Sequence, residues 1–235
     1  MSESARAPAA PAPPASATAS VLAAADIPPP RLGACRTSRL TAPERAAYTW
    51  ILHRFATFGR PGVAELRAHA RGLGLDAGRT LEKLAREDLV HLGADGEIAV
   101  AYPFSGRPTA HRVRFPHGPD AYAMCALDAL GVAPMFAEPV EIASRDPLRG
   151  EEIMVRVAPN VQAEWSPPAA VLVAGALQRE AASCAACCPV LNFFASPASA
   201  ENWLAQRPQV RGEAVSIRDA IVAGAAVFGD VLRED

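Results

Sequence analysis

Hydrophobic positions in the first hundred residues recur at helical spacing and then alternate. Three segments carry apolar side chains every three or four positions, which predicts amphipathic helices. These segments are residues 41–58, 63–73 and 77–87. The first begins with Thr41-Ala-Pro-Glu44, a typical helix start in which Thr41 is the N-cap and Glu44 completes a capping box. Residues 89–92 and 97–101 alternate around an Asp95-Gly96 turn and predict a β-hairpin.

Three helices followed by a hairpin predict a winged-helix-like N-terminal domain, which we assign to residues 36–104. The Ala/Pro-rich residues 1–35 predict a disordered tail. In residues 105–235, strands and helices mix without a regular βαβ rhythm, so we expect an α+β core with a mostly antiparallel sheet and flanking helices. The predicted strands are residues 111–115, 139–142, 153–158, 170–174 and 188–194, with a short extended segment at 215–217, and the predicted helices are residues 196–206 and 218–233.

A further predicted helix lies within the segment Gly118–Pro134, at the centre of that core. Asp120 is a suitable N-cap, the residues up to Leu130 favour helix, and Gly131 is the expected residue just beyond the end. Cys125 and Asp128 are three positions apart and therefore share a helix face. In this prediction Cys125 lies beyond the first turn, so the helix dipole contributes little to its chemistry.

Composition and charge exclude several classes of function. The net charge is −2 and half of the residues are hydrophobic, which predicts a well-formed core without a basic surface for nucleic acid or a membrane. No apolar run approaches the roughly 18 residues expected of a membrane span, and the apolar patch at residues 21–25 is too short to predict an export signal. Five cysteines, an odd number, favour a reducing compartment over a disulfide framework, and we expect a cytoplasmic protein.

The cysteines suggest reactive sulfur. A thiolate rather than a thiol is the nucleophile and the metal ligand, so Cys125 needs a group that accepts its proton. Asp128 is suitably spaced, and an apolar environment would raise its pKa enough for it to return the proton later. The structural alternative is a buried Cys125 that acts as a small hydrophobic residue, with Asp128 paired to an arginine.

A second cysteine cluster, Cys184-Ala-Ala-Cys187-Cys188, has metal-ligand and redox spacing. A structural zinc site requires a second matching pair of ligands, which the sequence lacks, and a thioredoxin-like motif would open a helix rather than precede Pro189. Thiolates without hard ligands favour a soft, polarisable ion such as mercury. With a carboxylic acid beside them, a carbon–metal bond could be protonated while sulfur holds the metal.

Three short motifs together resemble the organomercurial (alkylmercury) lyase family. They are MCALDAL at 124–130, SRDPLRGEEI at 144–153 and CPVLNFFAS at 188–196. The resemblance extends over roughly residues 40–230 and includes the DGEIAVAYPFSG segment at 95–106. It implies protonolysis of R–Hg⁺ to a hydrocarbon and Hg(II), with two cysteines that bind mercury and an aspartate that transfers the proton.

The same resemblance assigns the site residues. Cys125 and Asp128 match the first cysteine and the aspartate of the family, and alignment on Phe193-Phe194 makes Cys188 the second cysteine, with Cys187 as second choice. The three residues would hold the Hg(II) product. No cofactor would be required, external thiols would release the Hg(II), and a mercuric reductase would be a possible recipient. Asp146 stands where many members have a further cysteine, a change expected to affect stability more than turnover.

Two other functions remain open from the sequence. A metal-responsive winged-helix transcriptional regulator would use the thiols as a sensor, although the low positive charge of the N-terminal domain argues against DNA binding. A non-catalytic relative could bind or pass on soft metals, because one misplaced carboxyl is enough to prevent protonolysis.

Overall fold

The computed structural model of the protein describes residues 15–28, 33–177 and 186–233. Its helices are α1 (Ala15–Ala24), α2 (Gly33–Thr37), α3 (Ala42–Thr57), α4 (Val63–Gly72), α5 (Ala77–Arg86), α6 (Ala126–Phe136), α7 (Pro197–Ala205) and α8 (Ile217–Phe228). Its strands are β1 (Val90–Leu92), β2 (Ile98–Ala101), β3 (Phe104–Ser105), β4 (Arg112–Arg114), β5 (Ala121–Ala123), β6 (Val140–Arg145), β7 (Glu152–Val157), β8 (Ala163–Ser166), β9 (Val171–Leu177), β10 (Asn192–Phe194) and β11 (Val210–Ser216). Within these ranges no helix combines the length and hydropathy that a membrane span requires.

The predicted N-terminal helices and hairpin are present close to their expected ends. The Thr41 hydroxyl accepts from the Glu44 amide at 3.4 Å, and the Glu44 carboxylate accepts from the Thr41 amide at 2.8 Å. The predicted capping box therefore holds the start of α3. Strand β1 pairs with β2 in antiparallel register, as the Asp-Gly turn predicted. The winged-helix-like arrangement of these elements stays a prediction.

The described strands form two antiparallel sheets. The larger has the order β1-β2-β3-β5-β4-β6-β7-β8, and the smaller has the order β10-β9-β11. Helices pack around these sheets, which confirms a mixed fold of helices and antiparallel sheet. The larger sheet continues from the N-terminal hairpin into the core, and the boundary predicted between residues 104 and 105 falls within β3. The division into two domains stays a prediction.

The N-terminal tail differs from its prediction. Within residues 1–35, which were predicted to be disordered, residues 15–24 form α1 and residues 33–35 begin α2, whereas residues 1–14 and 29–32 lie outside the described ranges. Val21 and Ala25 are almost completely buried, and α1 packs against α8. The apolar patch around Val21 is too short to predict a packed helix from the sequence. Its contacts with α8 stabilise a helix that the alanine residues already favour.

The central helix also differs from its prediction. Ala121–Ala123 form β5, which pairs with β3 and β4, because strand pairing overrides the helix preference of these residues. Helix α6 begins after Cys125, whose extended backbone (φ −151°, ψ 177°) makes this residue, and not Asp120, the N-cap. Gly131 lies inside the helix, which continues through Pro134 to Phe136. The prediction that Cys125 lies beyond the first turn is therefore wrong.

Gly131 has a packing role instead of ending the helix. A Cβ atom on Gly131 would lie 2.5 Å from the ring of Phe228 and 2.8 Å from the carbonyl oxygen of Gly224, both in α8. A Cβ on Gly224 would in turn lie 3.0 Å from the carbonyl oxygen of Leu127. The two glycines allow the backbones of α6 and α8 to approach closely, which fixes the helix that carries the candidate site.

The remaining elements agree with the sequence in kind and differ in length. The strand predicted over residues 188–194 is confined to Asn192–Phe194, because a turn occupies the preceding residues. Strand β11 is longer than the short extended segment suggested by the sequence. The two C-terminal helices start at serine N-caps, Ser196 and Ser216, whose hydroxyls accept from amides three positions later.

Candidate functional site

Cys125 is held at the N-terminus of α6. Its Sγ accepts a hydrogen bond from the Asp128 amide at 3.4 Å, so a sulfur atom takes the place that a serine or aspartate oxygen usually has in an N-cap. The residue is 1% exposed. The partial positive charge of the helix N-terminus is directed at this sulfur and stabilises negative charge on it. Asp128 lies in the first turn of the same helix.

Cys188 reaches the same place from a distant segment. Its turn is closed by hydrogen bonds from the amides of Val190 and Leu191 to the carbonyl of Cys187, at 2.8 and 3.1 Å. The carbonyl of Leu191 then accepts from the amide of Ala126 at 2.9 Å. This backbone hydrogen bond joins the turn to the first residue of α6, and it places Cys188 opposite the N-cap.

Three of the candidate side chains meet in the interior. Cys125 Sγ, Cys188 Sγ and a carboxylate oxygen of Asp128 all lie within 4.8 Å of one another, and each residue is buried. The Cys188 thiol donates to Asp128 Oδ2 at 3.7 Å. Cys187 is also buried beside this group, whereas Cys184 lies outside the described residues. The catalytic roles of the three residues stay a prediction.

Burial controls the ionisation of the site. It raises the pKa of Asp128 to about 7, against the opposing effects of the Cys125 hydrogen bond and the charge of Arg36. Burial likewise raises the pKa of the Cys125 thiol to about 12. The pKa of Cys188 is raised well above its usual range, first by its hydrogen bond with Cys125. Both thiols are therefore protonated at neutral pH, and Asp128 can accept or donate a proton there.

A small cavity of about 30 Å³ adjoins the three groups. The described residues that line it are Ile27, Arg36, Tyr102, Cys125, Leu127, Asp128, Cys187, Cys188, Leu191, Val227 and Phe228. Ile27 belongs to the N-terminal segment predicted to be disordered, and Arg36 is the first residue after that segment. A volume of this size has room for little more than one or two waters, so a substrate with an organic group requires the cavity to open.

Arg36 is a component of the site that sequence reasoning missed. Its guanidinium forms an ion pair with the Asp88 carboxylate at 3.2 Å, donates to the Asp88 carbonyl at 2.8 Å, and lies 5.6 Å from the centre of the Tyr102 ring. It is 8% exposed. Nothing in the Ala/Pro-rich composition around it distinguishes Arg36 from a surface arginine, since only the docking of α2 on α8 brings it inside.

Asp146, which stands where many members of the resembled family have a cysteine, makes hydrogen bonds that tie two segments of backbone together. Its carboxylate accepts from the amides of Leu148 and Arg149 at 2.8 and 3.0 Å, within its own turn. The other oxygen accepts from the amide of Ala195 at 3.0 Å, at the end of β10. The residue is 1% exposed and does not line the cavity described above. Asp146 therefore stabilises the connection between β6 and the strand that follows the Cys188 turn.

The fold and the site together define a class: a mixed α+β protein with a buried two-thiol, one-carboxyl cluster suited to a soft metal. The alkylmercury lyase (MerB) family profile matches residues 104–229, which is more than half of the chain, and the chain belongs to that family.

Individual relatives agree with this assignment. The alkylmercury lyase of Staphylococcus epidermidis is 31% identical over 135 residues, which are 57% of this chain and 61% of the relative. That of Bacillus cereus is 33% identical over 117 residues, 50% of this chain and 52% of the relative. The matches thus span about half to three-fifths of the curated relatives. A crystal structure of the mercury-bound form of MerB2 superposes with a TM-score of 0.67 at 20% identity, over 93% of this chain and 98% of the other, which shows the shared fold.

Proposed function

We propose that this protein is an organomercurial lyase that cleaves the carbon–mercury bond of R–Hg⁺ by protonolysis. The observation that carries the proposal is the hydrogen bond from the Cys188 thiol to the Asp128 carboxylate, with Cys125 Sγ inside the same cluster. Two sulfurs that can bind one soft metal, beside a single proton carrier, are what the reaction requires. Family membership and the names of the relatives support the same activity.

Capture of the substrate would begin at Cys125. Its high pKa means that the proton leaves only as the sulfur–mercury bond forms, and a thiolate displaced from the incoming R–Hg–SR′ takes that proton. The Asp128 amide and the N-terminus of α6 stabilise the charge that develops on this sulfur. The first step thus leaves R–Hg attached to Cys125, next to Cys188.

Cleavage would then use the Cys188–Asp128 pair. Asp128 takes the Cys188 proton along the existing hydrogen bond, and the resulting thiolate becomes the second sulfur ligand of mercury. Two sulfur donors increase the electron density at the metal and weaken its bond to carbon. Asp128 delivers the proton to carbon, the hydrocarbon leaves, and Hg(II) remains on the two sulfurs. A pKa near 7 suits a group that must both accept and donate.

No cofactor takes part, external thiols remove Hg(II), and a mercuric reductase is a suitable recipient. Because every step requires reduced thiols, the proposed reaction takes place in a reducing compartment such as the cytoplasm.

The test is hydrocarbon release. Purified protein given phenylmercury and excess thiol, with nothing else added, should produce benzene. Asp128→Asn, which keeps the shape and the amide cap, should lower the rate by roughly 10² to 10⁴-fold while phenylmercury still binds. Binding without benzene from the wild-type protein would contradict the proposal and leave a soft-metal-binding relative.

For the N-terminal module we propose a winged-helix-like arrangement that supports the core rather than binding DNA. Three of its cations are engaged internally: Lys83 and Arg39 contact Glu87 at 2.9 and 3.0 Å, and Arg36 contacts Asp88 at 3.2 Å. Its hairpin is also continuous with the larger sheet of the core. A sequence-specific gel shift that Hg(II) relieves would instead favour the metal-responsive regulator.

A further inference from the structure

A third thiol lines the cavity beside the candidate site. Cys187 is 3% exposed, lies next to Cys188 in the turn, and lines the same cavity as the three cluster residues. It stands beside the cluster of Cys125, Asp128 and Cys188 without being part of it. The proposed cleavage uses both thiols of the cluster and the carboxyl, but it gives Cys187 no role. A buried thiol next to bound mercury would itself be a ligand for the metal.

Release of the Hg(II) product from the buried site requires an incoming thiol, and Cys187 is placed to supply one. After cleavage, Hg(II) lies between two sulfurs whose residues are 1% and 6% exposed, in a cavity of about 30 Å³. Mercury exchanges thiolates by accepting an incoming sulfur before it loses an old one, so release needs a thiol at the metal. A thiol that is already held there acts at a much higher effective concentration than one that must enter from solution.

We propose that Cys187 is the first acceptor of the Hg(II) product, which it takes over from Cys125 while Cys188 keeps its own bond to the metal. This inference rests on the proposed function. The bond between mercury and Cys187 Sγ forms, and the bond between mercury and Cys125 Sγ breaks. The proton of the Cys187 thiol passes to the Cys125 sulfur, and no atom is oxidised or reduced.

The geometry explains why Cys125 is the ligand replaced. Cys187 and Cys188 are neighbours in one turn and both line the cavity, so the incoming sulfur belongs to the same segment as the Cys188 sulfur. Cys125 belongs to a different segment, the N-cap of α6, and the Asp128 amide remains as a hydrogen-bond donor to its sulfur once the metal has left. Transfer therefore restores the capture thiol while Hg(II) moves to the Cys187–Cys188 pair, from which external thiols remove it.

The first experiment measures Hg(II) transfer directly. Protein loaded with one equivalent of Hg(II) is mixed with excess glutathione, and loss of the sulfur-to-mercury absorption is followed by stopped flow. Cys187→Ser should transfer Hg(II) about 10-fold more slowly than wild type. Cys35→Ser, which changes an exposed cysteine that does not line the cavity, is the matched control and should transfer at the wild-type rate. A wild-type rate in Cys187→Ser would overturn the proposal.

The second experiment counts sulfur ligands and does not depend on rates. X-ray absorption of Hg(II)-loaded Cys125→Ser should show two sulfurs on mercury, whereas Cys125→Ser combined with Cys187→Ser should show one. Combining Cys125→Ser with Cys184→Ser should leave two, and loss of a sulfur in that variant instead would assign the acceptor to Cys184 and overturn the proposal. Cys187→Ala replaces Cys187→Ser if the serine variant fails to fold.

Neither experiment requires carbon–mercury cleavage, because both begin from Hg(II). A protein that releases no benzene but transfers Hg(II) through Cys187 would disprove the lyase activity and leave this inference standing. The reverse result, benzene release with Hg(II) transfer that is independent of Cys187, would disprove only the inference.

Discussion

Two regions of the molecule enclose the site, and they differ in what they contribute. The frame, which consists of α6, the turn of residues 186–191 and α8, supplies both cluster thiols and the carboxyl. The cover, residues 15–28 and 33–37, supplies Ile27 and Arg36 to the cavity wall. The frame lies within the family match at residues 104–229, whereas the cover lies before it. The reacting atoms therefore belong to the frame, and access and nearby charge depend on the cover.

The two regions are also held together differently. The frame depends on backbone contacts, namely the Gly131–Gly224 crossing and the hydrogen bond from Ala126 to Leu191. The cover is docked through side chains such as Val21 and through Gly33, where an added Cβ would lie 2.5 Å from the carbonyl oxygen of Val227. We expect substitutions in the frame to abolish chemistry or folding, and substitutions in the cover to change rates moderately.

The largest expected contrast is in activity. Cys125→Ser removes a sulfur that binds mercury and should lower benzene release at least roughly 10³-fold. Ile27→Ala, which shortens a partly buried side chain of the cover, should change it by about 10-fold or less. Single-turnover benzene release measures both variants. Comparable losses in the two would mean that the cover takes part in the chemistry.

The next effect is a dependence of stability on pH that originates in the frame. Burial raises the pKa of Asp128 from 3.8 to about 7, so the folded state binds this proton more tightly than the unfolded state does. The resulting stabilisation is complete below pH 4 and is lost as the pH rises through 7. By linkage it amounts to at most about 4 kcal/mol.

The Asp128→Asn variant has no titratable group at this position, so comparison with it isolates the contribution of Asp128 to the pH dependence of stability. The free energy of unfolding of the wild type, relative to Asp128→Asn, should fall steadily between pH 4 and pH 7.5 in urea titrations. A difference that stays constant over this range would mean that Asp128 ionises normally, which would remove the argument for its double role.

Packing of the frame provides the third contrast. Gly131→Leu would force a side chain into Phe228 and the Gly224 carbonyl, and should lower the free energy of unfolding by about 3 kcal/mol or more. Gly72→Leu, at the end of α4 where an added Cβ has nothing within 4 Å, is the matched control. It should be neutral or slightly stabilising, because leucine favours helix more than glycine does. Equal losses in urea titrations would argue against the close helix crossing.

The smallest of the four effects concerns Asp146. Asp146→Ala leaves three backbone amides without their acceptor and should lower the free energy of unfolding by about 2 kcal/mol. Because the carboxylate lies outside the cavity, kcat for benzene release should change little at a temperature where the variant is folded. A large loss of kcat with unchanged stability would show that Asp146 acts on the site.

Much of the fold was predictable from local patterns. The capping box at Thr41, the Asp-Gly hairpin and the serine caps of the last two helices depend on residues within a few positions of one another. The start of α6 was not predictable, because Ala121–Ala123 favour helix and become a strand only through pairing with β3 and β4. Helix α1 was not predictable for the same reason, since its packing partner α8 lies about two hundred residues away along the chain.

By itself the sequence determined which groups are present and which are close along the chain: Cys125 and Asp128 at a spacing of three, the Cys187-Cys188 pair, and the motifs that mark the family. Only the tertiary structure decided that Cys188, sixty residues from Asp128, donates to its carboxylate, and that Cys125 is an N-cap. It also decided the ionisation of the site and the presence of Arg36 there. Hydrogen bonding along the chain is encoded locally, whereas desolvation and the meeting of distant segments depend on how the whole core packs.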